Sequence, residues 1–275
     1  MRHYRIYFLL IVLLTVILRF YNFSNRWGLA YDQAHDALVA REALLSGKLP
    51  LLGPFSSAGP FQTGGEWYWL LMIGTALNVQ SVMSPWYLLA FLSVIFVVGM
   101  MILGKRLVDE KFALVVGLFS SISTAQIAQS VNLTNQTPQA LCALGALFSS
   151  MAYIRNRKPL YLFLLGITVS TAASIHLQGV SLGLLIVCTL LFTGIPSVSG
   201  IVSLFIGLLL PIIPMLIDDS VNGYKNFQNM LYYYLYDQRR ISYDMLGRRW
   251  LTYVFIFIPN EWGHIIGGNR LMGGA

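Results

Sequence analysis

The stretch YDQAHDALVARE, residues 31 to 42, brings Asp32, His35, Asp36 and Arg41 together within twelve residues. A carboxylate at such a position can accept a proton, and an arginine can hold an oxyanion or a phosphate. At 3.6 residues per turn, Asp32, His35, Asp36 and Val39 share one face of a helix, and Ala34, Leu38, Arg41 and Leu45 line another. The pattern runs to Leu45, and SGKLP closes it with Gly47 and Pro50. Two readings stay open from pattern alone. Asp32 can be a helix cap with Asp36 and Arg41 as solvated charge, or the group can carry chemistry.

The elements around this stretch belong to a very apolar chain. Of 275 residues, 56% are hydrophobic and 11% charged, and mean hydropathy is +0.66. Soluble domains carry about 25% charged residues, so the composition points to an all-α, multi-pass membrane protein. The net charge of +7 then orients helices and meets anionic headgroups, and nucleic acid is set aside as a partner. Cys142 and Cys188 lie inside apolar runs and read as packing residues. MRHYR followed by IYFLLIVLLTVIL has no small-x-small site after it, which predicts an uncleaved first helix.

Apolar runs fall near 5–21, 84–104, 111–130, 134–154, 159–175, 178–195, 198–217 and 250–267, in one membrane domain. Three basic clusters, Arg2/Arg5, Lys105/Arg106/Lys111 and Arg155/Arg157/Lys158, fall on one side and place that side, with the N-terminus, in the cytoplasm. Two long segments, 22–83 and 218–249, then lie outside. EWYWLLMIGTALNVQ, 66 to 80, is too short to span and reads as an interfacial or re-entrant helix. Tyr232, Tyr233, Tyr234 and Tyr236 beside Arg239 and Arg240 suit an interfacial helix under a lipid phosphate, or an aromatic belt. His176 and Gln178 sit at an outer helix end, where packing is the plainer role for the histidine.

Several chemistries leave no trace. There is no phosphate-binding glycine loop, dinucleotide fingerprint, HExxH or paired CxxC. The histidines at 3, 35, 176 and 264 lack zinc spacing, so no metal site and no cofactor is expected; a divalent metal is compatible with the pattern but not indicated by it. The runs contain almost no ionisable residue, which disfavours an ion-coupled transporter.

The order of parts is an N-terminal helix, a short aromatic linker, an Asp-containing helix, GKLPLLGPFSSAGPFQTGGEWYWLL and a multi-helix bundle. It resembles the membrane-embedded GT-C glycosyltransferases, in the protein O-mannosyltransferase and aminoarabinose-transferase branch. The resemblance covers essentially the whole chain. It implies a polyprenyl-phosphate-linked sugar donor and a glycan, lipid or protein acceptor at the outer face of a bacterial plasma membrane. It also implies that Asp32 is the catalytic base, with Asp36 orienting the acceptor. Arg26, Arg41, Arg239, Arg240, His176 and Gln178 become candidates for phosphate or substrate contact. Gln33 stands where the family commonly has a second acid, and Glu66 is an addition. The family continues with further helices beyond the point where GGNRLMGGA ends this chain, so a fragment or a short member is expected. The rival expectations are a transporter or flippase of lipid-linked glycans, and a non-catalytic membrane subunit.

Overall fold

The computed structural model describes residues 2–56, 59–236 and 251–257. They are mostly helical, with one two-stranded antiparallel ribbon. Helix α1 (Arg2–Phe20) stops where Asn22 takes a left-handed conformation. Helix α2 (Tyr31–Ser46) stops at Gly47, with φ of 66°, the left-handed closure that glycine adopts without strain. Strands β1 (Leu52–Phe55) and β2 (Gln62–Gly64) pair Leu52 with Gly64 and Phe55 with Gln62. They lead into α3 (Glu66–Leu77), whose 12 residues measure about 18 Å.

Helix α4 (Ser84–Leu107) is the longest, 24 residues or about 36 Å. Asp109 caps α5 (Glu110–Ile122) by accepting from the Phe112 N–H at 2.7 Å. Ser123 then caps the short α6 (Thr124–Gln129), so the apolar run 111–130 is two helices and not one. The run 134–154 becomes helical only after Pro138, as α7 (Gln139–Asn156). Helix α8 (Pro159–Ile175) starts on a proline, as helices tolerate. The next run opens as a 3-10 turn over Leu177–Leu182 and continues as α9 (Gly183–Thr193). Helices α10 (Val198–Leu209) and α11 (Ile213–Val221) flank a 3-10 turn holding Pro211, and α12 (Lys225–Tyr236) follows.

Three segments among the described residues are long and apolar enough to cross a membrane: His3–Phe20, Ser84–Leu107 and Val198–Val221. Eight runs were expected from sequence. The difference has local causes, since serine caps, prolines and 3-10 turns shorten the rest, and the 250–267 run extends beyond the described residues.

Polar and small residues set the packing. Arg19 is fully buried and donates to the last-turn carbonyls of α5, Ser120 O at 2.9 Å and Ser121 O, and to Ser93 Oγ of α4 at 3.2 Å. A cation at a helix C-terminus meets the negative end of its dipole, so Arg19 ties α1, α4 and α5 together. Elsewhere α8 and α10 touch backbone to backbone. A Cβ on Gly207 would strike Phe163 O and Ile167 N of α8, and one on Gly166 would strike Leu204 O and Leu208 N of α10. Ser170 Oγ donates to Leu208 O at 2.6 Å across the same seam.

The basic clusters meet at one end. Lys105 Nζ sits 4.3 Å from the Tyr4 ring and donates to Glu110 Oε1, and Arg155 donates to Arg106 O. Helix α2, the ribbon and the start of α3 gather at the other end, on a core of Phe23, Trp67, Leu71, Trp86, Leu89, Leu133 and Ile175. Gly207→Leu should lower stability by about 2 kcal/mol or more, because backbone and not a flexible side chain must give way. Thermal unfolding in detergent checks this, with the half-exposed Val202→Leu as the neutral comparison.

Candidate functional site

The site grows from the start of α2. The residue before the helix is Ala30, which has no side-chain acceptor to offer. Gln33, three residues on, supplies the missing contact: its Oε1 accepts from the Ala30 N–H at 3.1 Å. Its Nε2 donates to Asn132 Oδ1 at 2.8 Å, which joins α2 to the connection between α6 and α7. The helix therefore starts one residue before Asp32, and Asp32 is not its cap, one of the two roles the pattern left open. Asp32 lies in the first turn, exposed, with no side-chain hydrogen bond among the described residues.

One turn further, Asp36 is 7% exposed. Its Oδ2 accepts from Trp67 Nε1 at 2.7 Å and its Oδ1 from the Tyr68 hydroxyl at 3.2 Å. His35 Nδ1 lies 3.2 Å from the same Oδ1, with an exposed ring. Ala40 and Ala43 continue the buried stripe, and their small side chains let α2 lie close on α3. Burial and the facing Asp36 carboxylate raise the Tyr68 phenol above its ordinary range, so Tyr68 stays a donor. The two aspartates thus share a sector of α2 but not an environment.

Glu66, the first residue of α3, is buried with 9% exposure. Its Oε2 accepts from Ser174 Oγ of α8 at 2.7 Å, while Oε1 has no partner among the described residues. Burial raises its carboxyl above the usual range, and the Ser174 bond partly opposes this. Gly64 makes the approach feasible, because a Cβ there would strike Ser174 Oγ and Glu66 Oε2. The sequence signal was one acid at the head of an aromatic, apolar run. Nothing local named Ser174 as its partner.

Arg26 closes α1 from outside. Its Nη1 donates to Leu18 O at 2.8 Å, Tyr21 O at 3.2 Å and Arg19 O at 3.4 Å, and its Nη2 to Ile127 O at 3.2 Å. Arg26, Gly28, Gln33, Thr124, Ile127 and Asn132 line an open cleft of about 450 Å³. Arg41 lies elsewhere: its Nε donates to Val79 O at 3.2 Å, about 13 Å along α2 from Asp32. His176 sits at the end of α8, where Nδ1 accepts from the Gln178 N–H at 3.2 Å and Nε2 lies 3.3 Å from the Gln136 amide. Burial lowers its pKa and favours the neutral ring. Gln178 is exposed. Arg239 and Arg240 lie outside the described residues.

The structure thus brings Arg26 and Gln33 to one cleft with Asp32 at its chain neighbour, and leaves Arg41, His176 and Gln178 at separate seams. No group of three or more metal-ligating side chains occurs among the described residues. Asp36→Ala should lose about 2–4 kcal/mol of stability, because two buried donors lose their acceptor. Asp36→Asn should lose less, and thermal unfolding with tryptophan emission reads both. Glu66 holds its proton more tightly folded than unfolded, so its contribution is complete below the ordinary carboxylate range and fades as pH rises towards its raised value. Unfolding across that range should show wild-type stability falling with pH relative to Glu66→Gln, whose profile lacks this slope. No family model, no curated protein and no solved structure matches this chain.

Proposed function

We propose that this chain is a membrane glycosyltransferase that moves a sugar from a polyprenyl-phosphate-linked donor to an acceptor hydroxyl at the outer face of the plasma membrane. The observation that carries the reading is the division of labour on α2. Asp36 is saturated by Trp67, Tyr68 and His35, whereas Asp32 is exposed and uncommitted in the turn that leads to the Arg26 cleft. Of the two carboxylates, Asp32 is the one able to take a proton from an incoming hydroxyl.

The proposed step is a single displacement. The acceptor hydroxyl gives its proton to Asp32 and its oxygen bonds to the anomeric carbon. The bond from that carbon to the phosphate oxygen breaks, the lipid phosphate leaves with the electron pair, and configuration inverts. Arg26 supplies positive charge beside the departing phosphate, and its bonds to α1 carbonyls hold it in place. Asp36 is a positioning residue that fixes the turn bearing Asp32.

The membrane placement rests on the three long apolar segments and on the fatty surface exposed by α9 and the link after it. Leu191 and Phe192 are each 79% exposed and Ile195 is 93% exposed, which water would penalise and lipid accepts. The meeting of Lys105, Arg106 and Arg155 at one end supports a cytoplasmic assignment for that end and an outer one for α2 and α3. Transport of lipid-linked glycans would need polar groups along a route through the bundle. The buried Thr15, Arg19, Ser120 and Ser121 are instead engaged in contacts between and along helices.

Reconstituted full-length chain with lipid-linked donors tests the roles. Asp32→Asn should lower transfer by about 100-fold or more with thermal stability unchanged. Wild-type transfer by Asp32→Asn would remove the proposed base.

A further inference from the structure

Helix α12 is held in an unusual way. Asp219, the buried carboxylate of α11, accepts from the Asn226 N–H and the Phe227 N–H, both at 2.9 Å. Tyr224, in a left-handed conformation, donates its N–H to Asp219 O at 2.7 Å. Only residues 222–224 separate α12 from the apolar segment Val198–Val221. Three residues reach at most about 10 Å, so α12 cannot leave the level at which that segment ends.

The two sides of α12 face different surroundings. On one side Asn226 binds the β2 backbone as a strand would: its Oδ1 accepts from the Gln62 N–H at 2.7 Å and its Nδ2 donates to Gln62 O at 3.2 Å. Asn229 Nδ2 donates to Pro60 O at 2.8 Å, and Tyr233 packs on Phe61. On another side Phe227 is 51%, Leu231 45% and Leu235 47% exposed, while the exposed Tyr232 and Tyr236 share the polar flank of Lys225 and Asn229. The helix carries one lysine and no acid. Helix α11 carries exposed apolar residues of its own, Ile213, Leu216, Ile217 and Val221.

We infer that α12 is an in-plane helix whose Phe227–Leu231 face seats in the lipid surface, with Tyr232 and Tyr236 at headgroup level. An apolar face, a polar flank of tyrosines with a lysine, and a helix without acidic residues suit an anionic bilayer surface. Because Asn226 and Asn229 grip the ribbon, this seat also fixes the height of the first outer loop, and with it the Arg26 cleft, above the lipid. The inference rests on the membrane reading proposed above.

A probe on each face tests it. Cys142 and Cys188 are replaced by alanine, and L231C, F227C or V202C is labelled with an environment-sensitive fluorophore in the full chain. The carrier is a nanodisc of phosphatidylcholine and phosphatidylglycerol bearing nitroxide lipids. Probes at 231 and 227 should lose most of their emission to nitroxide near the headgroups and resist aqueous iodide. The probe at 202, exposed on α10, should be quenched by nitroxide deep in the chains. Deep quenching at 202 with iodide quenching at both 227 and 231 would overturn the seat of α12 alone. Loss of nitroxide quenching at all three positions would overturn the membrane reading itself.

Discussion

A buried carboxylate held by neutral donors organises one end of this molecule. Asp36 has left water for a site lined by Trp67 and Tyr68, and among the described residues no lysine or arginine pairs with it. Its oxygens accept from the indole N–H and the phenol, and the neighbouring imidazole lies 3.2 Å away. Such a group is costly to leave unsatisfied, so it fixes α2 on α3 more stringently than an apolar contact would. The rotation of α2 follows, and that rotation leaves Asp32 in the open. Glu66 and Ser174 extend the same principle from α3 to α8, and Gln33 and Asn132 extend it from α2 to the link before α7.

The arginines of this region solve a different problem. Helices that stop inside an apolar assembly leave carbonyls without donors. Arg19 satisfies those of α5 and Arg26 those of α1. Neither is paired with a carboxylate among the described residues, where Lys105 pairs with Glu110 and Asp36 has only the His35 imidazole beside its neutral donors. Positive charge therefore gathers next to the cleft without a carboxylate partner among the described residues. In the proposed reaction, the arginine that caps α1 is also the group that meets the departing phosphate.

Much of the helical frame could be read from the chain, because apolar runs and their stop signals are local. Pro159 begins a helix, Gly47 ends one, and the short 66–80 run is a short helix. The lengths were less legible: Ser123 and the 3-10 turn after His176 interrupt runs that hydropathy alone joins. At the site, periodicity placed Asp32 and Asp36 together but could not distinguish them. The distinction depends on partners 31 and 32 residues away along the chain. The grip of Asn226 on Gln62 reaches across 164 residues, and no local pattern encodes it.

Sugar transfer is read most directly from its product. The full chain in lipid vesicles is supplied with polyprenyl-phosphate-linked sugars and a panel of hydroxyl acceptors, and the products are weighed by mass spectrometry. The account predicts an acceptor heavier by one glycosyl unit, with inverted anomeric configuration and free polyprenyl phosphate released in equal amount. Intact donor carried across the bilayer with no glycosylated product would contradict it.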